Sequence, residues 1–237
     1  MNVQGPHYFT VDILGLEVKI SETIVVGWII IAFITALILF LTHNMQKIPS
    51  KRQSIAELIV TTVNKLVLDT MGKRNMAFAP YMATLFMFSL FGSLVGLVGL
   101  RPMTADYNTT LTWALLTFFM VQACNIKANG IGGYLKGFTE PVVFMTPLNI
   151  VSLFVSPISL SFRHFGNIAG GMVITMLVYF ALTGLSTALG LSVPLATIGI
   201  PAVLSVYFDL FSAVMQAFIF VMLSMVYIGS ANESEEE

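Results

Sequence analysis

Residues 148–189 read LNIVSLFVSPISLSFRHFGNIAGGMVITMLVYFALTGLSTAL, with a single formal charge, Arg163, near the middle. As one helix this run would reach about 60 Å, at about 1.5 Å per residue, against a hydrocarbon layer of about 30 Å. Such a helix must tilt steeply, lie partly along the membrane, or break into two spans. Pro157 and scattered glycines are the only strong breakers in it. An arginine at the centre of a membrane helix costs about 2.5–3.5 kcal/mol on insertion scales, and such residues mark functional sites. Arg163 is the residue that requires an explanation.

The surrounding sequence supports a bilayer setting. Across residues 141–232 the only other formal charge is Asp209. Charged residues make up 10% of the chain, far below the roughly 25% of a soluble domain. A net charge of −1 argues against a nucleic-acid partner, and the lone Cys124 excludes an intrachain disulfide and any multi-cysteine metal site. No cofactor is expected. The first 22 residues lack a basic start, and the apolar run 24–41 is too long for a leader core, so no cleavable leader is expected.

Charge-free windows place the remaining spans at 22–47, 74–101 and 106–127. Lys47, Lys51, Arg52, Lys65, Lys73 and Arg74, with Lys127 and Lys136, fall in two loops on one side. Lys19 and Arg101 fall on the other. That asymmetry predicts an external N-terminus and cytoplasmic basic loops. Residues 54–70, with Ile55, Leu58, Ile59, Val63, Leu66 and Val67 at helical spacing, read as an amphipathic helix at the interface or a docking face for a partner helix. The fold expected is an all-α integral membrane protein of about five spans. Its segments are an outer N-terminus (1–22), spans one to three (23–127), a cytoplasmic connection (128–147), a long helical hairpin (148–230) and an acidic cytoplasmic tail (231–237). Breaking the long helix in two would instead place the tail outside.

Arg163, Asn167 and Gly170 share one helical face, and Gly166 with Gly170 forms the small-xxx-small spacing that admits a close neighbour. On the second helix of the hairpin, Ser205, Asp209, Ser212 and Gln216 form a polar stripe in which Asp209 can take and release a proton. One bland alternative is a static Arg163–Asp209 pair holding two helices together. For His164, packing in the bundle competes with a role in carrying protons. A secondary transporter would also place ionisable groups at mid-membrane, but the two halves show no internal repeat. No zinc motif or nucleophile motif supports an intramembrane enzyme.

The run Ser159-Leu160-Ser161-Phe162-Arg163-His164-Phe165-Gly166-Asn167, then Gly170, resembles the signature of ATP synthase subunit a, the membrane stator of the F-type enzyme. Glu140-Pro141, Pro147-Leu148-Asn149 and Pro157 are similar to the family's approach to that signature. Gln216-Ala217-Phe218-Ile219-Phe220 and Tyr227 are similar to its last helix, and Arg101-Pro102, Thr104, Asp106 and Asn108 to the entry of its third span. The likeness runs from about residue 80 to 227.

It implies five spans, the last two a steeply tilted hairpin against a ring of c subunits, in a bacterial plasma membrane with peripheral-stalk b subunits. The subunit would be non-catalytic in itself and would conduct protons or sodium ions. Arg163 would be the essential stator charge. Asn167, Gln216, Ser212, Asp209 and His164 would belong to the ion path, and Gly166 and Gly170 would pack against the ring. Family members often carry an acid or histidine nine positions after the arginine, where Met172 stands here, which shifts the ionisable duty toward Asp209.

Overall fold

The computed structural model describes residues 8–13, 16–140, 142–189, 203–204 and 206–232. Two short strands, β1 (Tyr8–Ile13) and β2 (Leu16–Ser21), pair antiparallel, with Tyr8 opposite Ser21. This small hairpin has no counterpart in the sequence expectation, which treated the N-terminal segment only by its charges. Among the described residues six long α-helices follow: α1 (Glu22–Thr42), α2 (Lys51–Met71), α3 (Ala79–Leu94), α4 (Tyr107–Gly137), α5 (Thr146–Ala188) and α6 (Ser212–Ala231). A π-helical turn, Val206–Phe211, leads directly into α6. The protein is an all-α integral membrane protein apart from that hairpin. Five segments are long and apolar enough to cross a bilayer, and α2 is not among them.

The long run forms one helix. α5 is continuous for 43 residues with Pro157 inside it, so the two-span reading does not hold among the described residues. Proline removes one backbone donor and kinks a helix, yet neighbouring helices in a membrane bundle can re-satisfy the freed group. At about 1.5 Å per residue α5 reaches about 65 Å, so it cannot stand upright in a layer of about 30 Å. α4 also departs from expectation. It runs past Lys127 to Gly137 with a break at Gly130, whose φ of 67° and ψ of 170° favour glycine. Part of the expected connection is therefore helical.

α6 is the axis of the bundle. Of its most apolar stretch 44% is buried, against 17% for α1, whose Trp28, Ile29, Phe33, Leu39 and Phe40 face outward as lipid-facing residues do. Phe220, Val221, Met225 and Ile228 of α6 pack with Val67 and Met71 of α2, Met82 and Leu85 of α3, and Trp113 and Ala114 of α4. Hydroxyl pairs stitch the helices where water is excluded. Thr117 and Ser224 (3.3 Å) join α4 to α6, and Thr110 and Ser161 (3.1 Å) join α4 to α5. At the far end of the bundle, Thr23 of α1 donates to Asp106, the residue that caps α4 (3.1 Å). The amide of Asn232 donates to Asn75, whose own amide donates to the Met71 carbonyl (2.7 Å), tying the end of α6 to the α2–α3 corner. The segment 190–202, Ser205 and the tail from residue 233 lie outside the described residues.

Candidate functional site

α5 has two faces of different character. Pro157, Leu160, Ser161, His164, Ile168, Gly171 and Thr175 are buried at spacings of three and four, which makes one stripe against the bundle. Arg163, Gly166 and Asn167 are exposed and Gly170 half-buried on the other side. A Cβ placed on Gly166 or Gly170 would meet nothing within 4 Å, so the surface beside Arg163 is flat and uncovered by the described residues. Asn167 donates its side-chain amide to the Arg163 carbonyl one turn back (2.9 Å). The Arg163 guanidinium has no hydrogen-bond or ion-pair partner among the described residues. The static Arg163–Asp209 pair is therefore not formed.

Asp209 lies elsewhere for a structural reason. It sits half-buried in the π-helical turn, a feature found mostly as single turns, frequently at functional sites. The neighbouring Phe208 packs on Gly171, where an added Cβ would approach its ring to 3.3 Å. Gly171 is eight residues beyond Arg163, about 12 Å along the helix axis at about 1.5 Å per residue. Asp209, next to Phe208, is thus displaced from Arg163 along the axis of α5. Further along, Ala213 packs with Ile168, and Phe220 meets His164 ring to ring at 5.4 Å. Gln216 falls between these two rungs, level with the turn that carries Arg163 and Asn167. Along α5, Gln216 thus falls near the level of Arg163 and Asn167, and Asp209 nearer that of Gly171. Ser212 is half-buried one turn from Asp209, while Ser205 lies outside the described residues.

His164, adjacent to Arg163 in sequence, points the opposite way. It is 1% exposed, edge-on to Trp113 (6.1 Å) and Phe220 (5.4 Å), and neither ring nitrogen has a hydrogen-bond partner. Among the described residues this aromatic box offers its ring nitrogens no donor or acceptor. Burying a polar group without a partner costs about 1–3 kcal/mol. His164→Leu is therefore expected to keep ATP-driven ion pumping within about twofold while raising thermal stability. Pumping assays and melting of the purified assembly check this, and a large loss of pumping would restore the histidine to the path.

Sequence reasoning did not single out Thr110, Thr117, Ser161 or Ser224. Isolated hydroxyls in apolar runs carry no pattern until the helices pair.

The chain is thus a multi-pass helical membrane protein with a cation, unpaired among the described residues, turned outward on a glycine-flattened helix face. Residues 24–229 match the family model described as ATP synthase A chain, and the chain belongs to that family. It is 33% identical to the Propionigenium modestum protein named "ATP synthase subunit a, sodium ion specific", covering 91% of this chain and 76% of that one. It is 30% identical to ATP synthase subunit a of Moorella thermoacetica, covering 94% and 97% respectively. The Geotalea daltonii subunit a is 31% identical, covering 93% and 92%. Membership makes the chain a stator subunit of the membrane sector of an ATP synthase, and the transporter alternative is not favoured.

Proposed function

We propose that this chain supplies two offset ion half-channels to a rotating ring of c subunits, with Arg163 as the fixed charge between them. The observation that carries this reading is Arg163 itself, exposed and unpartnered on the flat face of α5. A ring carboxylate, neutral with its ion while it faces lipid, ionises as it reaches Arg163. An opposite charge within about 4–6 Å lowers an acid's pKa by about 1–3. At 4 Å and an effective dielectric of 20 the attraction is about 4 kcal/mol before desolvation opposes it. It has to stay modest, because a trapped carboxylate would stop the ring. Arginine suits the task, since a guanidinium keeps its proton where an ammonium would lose it. The same charge repels a cation leaking straight between the half-channels, so ions ride the ring.

Asp209, Ser212 and Gln216 are assigned to one half-channel. Asp209, displaced along the axis of α5 from Arg163, holds or passes the ion at the far side of the arginine, and Gln216 with Asn167 shapes the arginine's surroundings. The subunit is non-catalytic in itself and works with the c ring and the peripheral-stalk b subunits. On this reading it lies in a bacterial plasma membrane, and the basic loops support an N-terminus outside and a C-terminus in the cytoplasm. The ion is a proton or sodium. ATP-driven ion pumping by inverted membrane vesicles, with Arg163 replaced in the assembled complex, tests the proposal. Asp209→Asn is expected to slow ion transfer severalfold and to flatten its pH dependence. An unchanged rate across pH would remove Asp209 from the path.

A further inference from the structure

The end of α6 is fixed against three other parts of the bundle. Gly229 lets α6 approach the end of α2 closely, and a Cβ added there would stand 3.4 Å from the Met71 Cα. Asn75, buried in the 3₁₀ turn Lys73–Phe78, donates to the Met71 carbonyl (2.7 Å) and accepts from the Asn232 amide. Asn232 in turn donates its backbone N–H to the Gly229 carbonyl (3.1 Å). It also lines an open cleft of about 190 Å³ with Phe78 of that turn and Ala123, Cys124 and Lys127 of α4.

Cations surround this point. Lys73 and Arg74 immediately precede Asn75, and Lys127 stands on the wall of the cleft. All three are exposed, and among the described residues none of them forms an ion pair. Asp69, four residues before Lys73, forms none either. The residues that follow Asn232 are Glu233-Ser234-Glu235-Glu236-Glu237, four carboxylates in five positions. They come directly after a helix C-terminus, whose partial negative charge opposes them. Five extended residues reach about 17 Å, at about 3.3–3.6 Å each. That reach spans a cleft of this size.

We propose that the acidic run 233–237 seats on the cationic rim of Lys73, Arg74 and Lys127 and covers the cleft beside Cys124. The latch ties the end of α6, the axis of the bundle, to α4 as well as to the α2–α3 corner. It is independent of Arg163 and of the ion path. Exposed ion pairs are individually weak and are screened by salt. Tethering compensates, because the carboxylates start from an anchored Asn232 and so meet the rim at a high effective concentration.

The experiment uses the assembled complex in its native membrane, with Cys124→Ala removing the native thiol. Ala123→Cys on the exposed wall of the cleft and Ser234→Cys within the tail leave every charge in place. Mild oxidation joins the two thiols only when they come together, since a disulfide needs Cα atoms about 4.4–6.8 Å apart. At low salt the intrachain disulfide is expected to form at least about fivefold faster than in a chain whose four tail glutamates are all replaced by glutamine, the scale of a few weak pairs acting together. Salt at about 1 M, where the Debye length is about 3 Å, should remove the difference. Lys73→Glu, Arg74→Glu and Lys127→Glu together should slow the reaction as much, and lysines at the four tail positions should restore it in that background. Equal rates with acidic and neutral tails at low salt would overturn the proposal. So would a tail-charge effect seen only in vesicles of neutral phospholipid, because the rim would then belong to anionic headgroups in the membrane. If the triple reversal does not assemble, the neutral tail decides alone, because it changes none of the described residues.

Discussion

Replacing Arg163 by alanine is expected to abolish coupled ion movement, with ATP-driven pumping and ATP synthesis both falling about a hundredfold. A pKa drop of about 2 in a ring carboxyl beside a guanidinium corresponds to about a hundredfold easier ionisation, and that advantage is lost with the side chain. The effect is on function and not on folding. Arg163 is exposed, and its side chain makes no hydrogen bond or ion pair among the described residues. The ring should therefore remain assembled, and the variant should instead leak ions passively, because the barrier between the half-channels is gone. Arg163→Lys should keep part of the barrier but lose most coupling, since a lysine ammonium gives up its proton more readily in a poor solvent. Pumping and passive ion leak in vesicles, with ring content measured on the same sample, check this. Normal coupling in the alanine variant would end the stator reading.

The second large effect concerns the flat face. Gly166→Leu is expected to leave the isolated subunit at least as stable as before, since a Cβ there meets nothing within 4 Å. Glycine in a helix interior also costs about 0.8–1.0 kcal/mol relative to alanine, with leucine close to alanine. On the proposed reading, the same side chain in the assembled complex stands on the surface that has to let ring helices pass. Close helix approach in membranes depends on small residues at the contact, so pumping should fall more than about tenfold or the ring should be lost on purification. Gly166→Ala should be mild. The comparison separates a packing surface from a lipid-facing one, because a leucine facing lipid would change nothing. Co-purification of the ring and pumping rate are the measurements.

Much of the fold was legible in the sequence, for a plain reason. In a bilayer the charge-free windows are dictated by hydrocarbon thickness, so 22–47, 74–101 and 106–127 contain or overlap α1, α3 and α4. Residues 54–70 fall within α2. Legibility failed where the backbone departs from regular helix. The π-helical turn at Val206–Phe211 alters the register that a 3.6-residue period assigns to Asp209. The break at Gly130 carries α4 into a segment read as a connection. Pro157 suggested a possible break in α5, but α5 runs through it without ending.

By itself the sequence determined the membrane class and the number of candidate spans, and it singled out Arg163, because transfer from water to hydrocarbon is a sum over residues and a lone charge stands out in it. Which way each side chain faces was decided only by tertiary packing. Arg163 and His164 are neighbours in the chain, yet one lies on the open glycine face and the other between Trp113 and Phe220. About 100° of helical rotation separates adjacent residues, and the partners that give each side its character come from helices remote in sequence. The separation of Asp209 from Arg163 has the same origin, since it depends on Phe208 settling against Gly171 across the hairpin.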